Sequence, residues 1–454
     1  MVVAGENRIF SFFSMRRPRS ASSSLPEAPE LPSFRIEGEP PPSPPVRHEN
    51  TGLVRHDVRL AADRIDEDAA RVVKRLERAG HEAYLVGGCV RDLLLDGTPK
   101  DFDVATSARP EDVRALFRNC RVIGRRFRLA HVLFSGGKVI EVATFRKKPA
   151  EVDEDDSELL IRNDNAFGDA HEDALRRDFT INALFYDLTH HQVLDWCGGM
   201  QHINERVIQT IGDPVVRFRE DPVRMLRVIK FAARLDLGIA PDVHDALVVT
   251  RDELTKAAKP RVFEELMRLL RGGAGARSLW LLWEMGILSL LLPELSSVLD
   301  DDDDEGTRGR RVFRRLAALD AMTKERKAPL DDVVLTTALL YEPLLEVVTG
   351  ARDAAGEAGD FLEPLVRRIA LPRRIADAVR RIVAVLPRID EGRLGRFART
   401  DIAGAALDLH EAELRANGRN LEKVRALRRL VQDASTAREP RAPRGRTRAP
   451  TPRS

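Results

Sequence analysis

The spacing of apolar and polar positions changes character along this 454-residue chain. Over residues 64–79, Ile65, Ala69, Val72, Val73 and Leu76 recur at helical spacing and Gly80 follows as a stop, which predicts an amphipathic helix. Shorter units come next: a strand over 83–86, a Gly-Gly turn, a helix from Val90, a strand over 102–105 and a helix over 110–117. Two more strands are expected near 131–134 and 139–144. Short β runs interleaved with helices through about residue 190 predict an α+β domain on one mixed sheet. Beyond Val215 nearly every periodic segment is helical.

The expected organisation is a disordered extension over 1–55, a head over 56–190, a helical neck over 191–265, a helical body over 266–434 and a basic disordered tail over 435–454. The extension is rich in Pro, Ser and Glu and has no sustained period, so it lacks the apolar content to form a core. The tail concentrates Arg438, Arg441, Arg444, Arg446, Arg448 and Arg453 among prolines. The acidic run over 300–305 reads as a solvated loop between helices.

Composition narrows the class. Hydrophobic residues at 43%, charged residues at 32% and a net charge of +2 describe a helix-rich globular protein. The longest apolar run, residues 279–292, is short for a bilayer span and is interrupted by Glu284 and Gly286, so a buried helix is expected. No basic region precedes the N-terminal IFSFFSM, which argues against a secretory signal. Cys89, Cys120 and Cys197 lie far apart without metal or disulfide spacing, in keeping with a reducing cytoplasm.

The candidate chemistry begins at LVGGCVRDLLLDGTPKDFDVAT. Residues i and i+2 of a strand share a face, so Asp101 and Asp103 can present two carboxylates to one pocket while Phe102 packs inward. Hard oxygen donors of this kind suit Mg²⁺, and phosphoryl transfer uses such ions against triphosphate charge. Gly87 and Gly88 leave backbone amides open to phosphate oxygens, and Arg91 offers a cationic clamp. The plain alternative is a surface turn with a capping aspartate and an Arg91–Asp92 salt bridge. Glu141, in KVIEVATFR, completes a triad of acids if its strand neighbours the first. Otherwise it is an exposed strand residue paired with Lys138 or Arg146.

Three segments in this order, LVGGCVRDLLLDGTPKDFDVAT, LRRDFTINALFYD and REDPVRMLRVIKFAARL, resemble the bacterial poly(A) polymerase and tRNA nucleotidyltransferase family. The resemblance spans about residues 64–295 and is looser in the distal helices. VIGRRFRLAHVLF, NDNAFGDAHEDALRRDFTINAL and LPRRIADAVRRI look like the poly(A) polymerase branch; CCA-adding relatives carry a shorter HGT-type sequence at the first of these.

The resemblance implies template-independent addition of AMP from ATP to RNA 3′ ends. It implies that Asp101 and Asp103 bind two Mg²⁺ ions, that Glu141 is the third acid and that Asp178 stands among the catalytic residues. It also implies that Gly87, Gly88, Arg91, Arg177, Asn182, Asp221 and Arg224 contact the nucleotide, the last two as a protein template for adenine. A carboxylate and a guanidinium complement the N6 donor and N1 acceptor of that base. Plain structural roles compete with these: Asp178 can cap the turn holding Asn182, and Asp221 followed by Pro222 is a good helix start.

Two departures stand out. Where relatives often carry a longer Gly-rich or polar loop, this chain has KKPAEVDEDDSELLIR, and its distal helices match weakly. The rivals are a tRNA CCA- or A-adding enzyme and a silent RNA-binding protein on the same fold. His131 reads as a packed or hydrogen-bonded strand histidine, His190-His191 as a turn, Trp280 and Trp283 as core, and the arginines of 424–430 as a solvated face first and an RNA surface second.

Overall fold

The computed structural model describes residues 52–124, 128–147, 166–301 and 307–436. The N-terminal extension up to residue 51, the segment over 148–165, most of the acidic run and the tail from residue 437 lie outside the described residues.

The head contains β1 (Val54–Asp57), α1 (Glu67–Arg78), β2 (Ala83–Val86), α2 (Gly88–Leu94), β3 (Asp103–Thr106), α3 (Pro110–Leu116), β4 (Cys120–Ile123), β5 (Leu129–Leu133), β6 (Val139–Thr144), α4 (Ala170–Leu175), β7 (Phe185–Asp187) and β8 (Gln192–Asp195). These strands form one sheet in the order β1-β8-β7-β2-β3-β6-β5-β4. Only β3 and β6 pair in parallel, joined by a crossover through α3 and the β4–β5 hairpin.

Period-two alternation sorts the side chains between two faces. Ala83, Leu85, Val104, Ala130, Val132, Ile140 and Val142 point into the main core, where α1 and α3 pack. Tyr84, Val86 and Ala105 point the other way, onto a smaller core around Phe145, Phe185 and Trp196. Asp103, in phase with Ala105, and Glu141, out of phase with Ile140 and Val142, therefore belong to this second face.

Several boundaries differ from the sequence expectation. The sheet runs from Val54 to Asp195, so breaks at 55/56 and 190/191 would cut β1 and detach β8. Strands β1, β4, β7 and β8 are short; β1 pairs with β8 and β7 with β2 across distant parts of the chain, whereas β4 pairs with β5 across a hairpin. β3 opens at Asp103 rather than Phe102, and α2 opens at Gly88 rather than Val90.

The neck comprises α5 (Gly199–Glu205), β9 (Val207–Ile208), α6 (Pro214–Glu220), α7 (Val223–Leu235), β10 (Gly238–Ile239) and α8 (Pro241–Thr250). The body continues through α9 (Lys259–Arg271), α10 (Gly275–Glu284), α11 (Leu288–Leu291), α12 (Pro293–Asp300), α13 (Thr307–Arg326), α14 (Asp332–Leu339), α15 (Tyr341–Val348), α16 (Ala354–Arg368), α17 (Arg373–Asp390), α18 (Ala403–Ala416) and α19 (Glu422–Thr436). A single hydrophobic core runs from Ala69 in the head to Leu427 in α19. The apolar run over 279–292 is two helices rather than one, because Gly286 takes a positive φ of 69° between α10 and α11. No described helix is long and apolar enough to cross a membrane.

Candidate active site

The acids converge through sheet register. Asp103 opens β3 and sits directly opposite Glu141 on parallel β6. Asp101, two residues earlier, is exposed just before the strand, and Phe102 between them packs partly against the main core. Burial, followed by repulsion from Glu141, pushes the Asp103 carboxyl up to about 6; Arg177 opposes the shift and Asp101 adds to it. Of the alternative partners of Glu141, Lys138 is engaged elsewhere. Lys138 binds Asp66 and Asp68 at the start of α1, whereas Glu141 has His131 Nε2 at 3.5 Å.

The glycine turn lies beside these acids. Gly87 has φ 71° and ψ −124°, a conformation that L side chains rarely adopt, and a Cβ there would sit 3.0 Å from an Arg177 guanidinium nitrogen. Its amide donates to Leu184 O at 3.2 Å, which ties the turn to the segment after Asn182. Arg177 is held from below by Asp173, whose Oδ2 accepts from Nε and Nη2 at 3.2 and 2.9 Å. It also donates to Asn182 O at 3.1 Å and stacks over Phe185, leaving it between the turn and Asp103.

Arg91 occupies a different place from an open clamp. Its guanidinium is buried, donates to Asp92 Oδ1 at 2.9 and 2.5 Å, and reaches Asn182 Oδ1 at 2.5 Å. It lies over the ring of Phe231 in the neck, and Asp92 in turn accepts from Arg234 at 3.1 Å. The Arg91–Asp92 salt bridge is thus present inside the molecule, where it fixes the amide of Asn182.

Asp178 does not cap the turn at Thr180–Asn182 through N-terminal amides in the manner of a helix cap. Its Oδ1 accepts from Phe179 N at 2.9 Å and from Asn182 Nδ2 at 3.1 Å, and its Oδ2 lies 2.5 Å from Arg227 on α7. Arg217 on α6 donates to the carbonyls of Arg176 and Arg177 at 3.2 and 2.6 Å, so the neck grips this motif by its backbone as well.

The EDPVR segment forms the break between α6 and α7. Asp221 ends α6, and Pro222 rather than Asp221 occupies the cap position of α7, with no side-chain cap. The Asp221 carboxylate is turned instead toward Arg261 of α9, at 2.8 Å. Arg224 donates to Glu220 Oε2 at 3.0 Å and to Arg217 O at 2.9 Å. Asp221 and Arg224 thus lie on the neck, on the same helix–helix corner, while the acids lie on the head.

The contributions of Arg217, Arg227, Arg234 and Arg261 were not anticipated from sequence. A signal was available for part of this set: Arg227 and Arg234 follow Arg224 at successive steps of three and seven residues, which helical geometry keeps on one side of α7. Which acids they meet depends on the fold.

Carboxylates on two parallel strands, set beside a glycine turn that opens a helix, define the head of a nucleotidyltransferase. Residues 83–209 match the family model described as the poly A polymerase head domain, and residues 236–299 match one described as a probable RNA and SrmB-binding site of polymerase A. Poly(A) polymerase I of Salmonella typhi is 39% identical over 353 residues, covering 74% of this chain and 75% of that protein. The CCA-adding enzyme of Geobacillus stearothermophilus is 38% identical over 232 residues, covering 51% of this chain and 55% of that one. The solved Bacillus stearothermophilus CCA-adding enzyme in complex with CTP aligns with a TM-score of 0.61 at 27% identity, covering 81% of this chain and 82% of that chain. The chain belongs to the bacterial poly(A) polymerase family.

Proposed function

We propose that this protein polyadenylates RNA 3′ ends without a nucleic-acid template, transferring AMP from ATP to the 3′-hydroxyl with release of pyrophosphate. The observation that carries this reading is the register pairing of Asp103 with Glu141, next to Asp101 and the Gly87-Gly88 turn. Extent of similarity favours polyadenylation over CCA addition. The match to a poly(A) polymerase covers 74% of the chain, whereas the match to a CCA-adding enzyme covers 51%.

The donor set fits Mg²⁺. Hard oxygen ligands stand together, and the Asp103 carboxyl, raised first by burial and then by repulsion from Glu141, is a group whose charged form a divalent cation would stabilise. Among the described residues no three His, Cys, Asp or Glu side chains form a ready-made metal cage, so ions held by Asp101 and Asp103 would take further ligands from substrate and water. Bound there, Mg²⁺ would neutralise triphosphate charge and polarise the attacking hydroxyl.

In this reading Glu141 stands where it accepts a proton from the RNA 3′-hydroxyl. Arg177 and the backbone at Gly87-Gly88 receive the triphosphate, and Arg91 acts from beneath by holding Asn182, with Asp178, against the sugar. Asp221 and Arg224 read the adenine edge from the neck. Helices of the body and the arginines beyond residue 437 hold RNA through phosphate contacts. All three cysteines are free thiols, which suits a reducing cytoplasm.

The test is incorporation from each nucleoside triphosphate separately, on an unstructured RNA and on tRNA lacking CCA. Long tails from ATP alone on the generic RNA are expected; addition that stops after CCA on tRNA overturns the reading. An Asp101→Ala, Asp103→Ala double variant with full activity would refute the assignment of these two acids to catalysis.

A further inference from the structure

The row of registered partners that begins with Asp103 and Glu141 does not end there. Glu141 on β6 is directly opposite His131 on antiparallel β5, and His131 is opposite Arg121 on β4. Registered residues on neighbouring strands point to the same face, so Asp103, Glu141, His131 and Arg121 stand side by side across four strands. Their neighbours in sequence, Ala130, Val132, Ile140 and Val142, are buried on the opposite face, so a one-residue slip of register is excluded.

Glu141 therefore has an acid on one flank and an imidazole on the other. Asp103 repels it, and the Glu141 side chain is 51% exposed, which leaves the carboxylate free to swing toward water. His131, 21% exposed and braced within the strand, brings Nε2 to 3.5 Å from Glu141 Oε1. No other ion-pair partner of Glu141 occurs among the described salt bridges.

We infer that His131 is a positioning residue for the reaction: its ring N–H anchors the Glu141 carboxylate against repulsion from Asp103 and keeps it over the active site. This rests on the proposed role of Glu141. The ring acts on Glu141 alone and does not touch the nucleotide, so its loss should appear in turnover rather than in ATP binding.

The experiment compares His131→Leu, His131→Gln, Glu141→Gln and the His131→Leu, Glu141→Gln double variant of the full chain, by steady-state kinetics and thermal melting. His131→Leu should lower kcat by about tenfold with KM for ATP unchanged, in the range seen when a supporting partner of an active-site ligand is removed. His131→Gln, which returns an N–H near the same place, should recover most of the loss. The double variant should be no slower than Glu141→Gln alone, as expected of residues acting through one contact. If Glu141→Gln is as active as wild type, the role of Glu141 fails and takes this inference with it. If Glu141→Gln is slow while His131→Leu is not, or if the two losses multiply, the inference fails and the reading of Glu141 survives. Equal losses in His131→Leu and His131→Gln, accompanied by a lowered Tm, also overturn it, since they would report packing.

Discussion

Asp178 and Arg227 meet across the junction of head and neck, with Oδ2 of the acid 2.5 Å from a guanidinium nitrogen of α7. The same acid binds Asn182 through its other oxygen, so the neck helix orients a head residue by one ion pair. Arg227→Ala should lower kcat/KM for ATP by releasing Asp178 and Asn182. Because Arg227 is 38% exposed, the cost in stability should be modest, about 1–2 kcal/mol. Nucleotide titration and chemical denaturation of the same variant check both halves; unchanged kcat/KM would remove the orienting role.

Gly87→Ala combines two penalties. The backbone at φ 71° is strained for alanine, costing about 1–3 kcal/mol, and the added methyl meets Arg177 at 3.0 Å. The expected outcome is a lower Tm together with a raised KM for ATP. An alanine variant that keeps wild-type KM would show that Arg177 gives way without consequence.

Asp173 predicts an acid-dependent loss of stability. Burial raises its pKa, but the guanidinium groups of Arg177 and Arg176 outweigh burial and hold the carboxyl below its ordinary 3.8. A native pKa below the unfolded one adds stability that is complete above the unfolded value and disappears as pH falls through the native value. Wild type should therefore exceed Asp173→Asn in stability by an amount that is constant above about pH 5 and shrinks below about pH 4. Denaturation curves at a series of pH values measure it; a gap that widens in acid would reverse the sign.

In the body, Arg315 is buried between Glu342 at 2.6 Å and Glu413 at 2.7 Å, beneath the ring of Tyr341. Arg315→Met would leave the buried Glu342 with only Arg311 for company. The expected loss is about 3 kcal/mol in denaturant unfolding. Full stability in this variant would mean that Arg311 alone neutralises Glu342.

Much of the head was legible from local pattern. The runs over 83–86 and 139–144 identified β2 and β6 and helical spacing identified α1, while of the two acids expected on one strand only Asp103 lies on β3, with Asp101 just before it. The edge strand β1 and its neighbour β8 were not legible, because the pairing that joins them connects residues more than a hundred positions apart. Arg91 was misplaced for a related reason. A basic residue three positions after Gly-Gly looks like a phosphate clamp, yet its neighbour Asp92 pairs with it and Asn182 and Phe231 arrive from two distant segments to enclose it.

The sequence by itself determined the kinds of group available: two acids at strand spacing, a glycine turn that tolerates a positive φ, a third acid in a β-branched run and a basic stripe on one helix. Those follow from covalent spacing and local conformational preference. Only the tertiary structure decided who faces whom. The parallel pairing of β3 with β6 put Glu141 beside Asp103, the antiparallel pairing of β5 put His131 beside Glu141, and the packing of α7 on the head gave Asp178 its arginine. Register and docking are set by burying two faces of one sheet at once, a condition that no single segment of the chain contains.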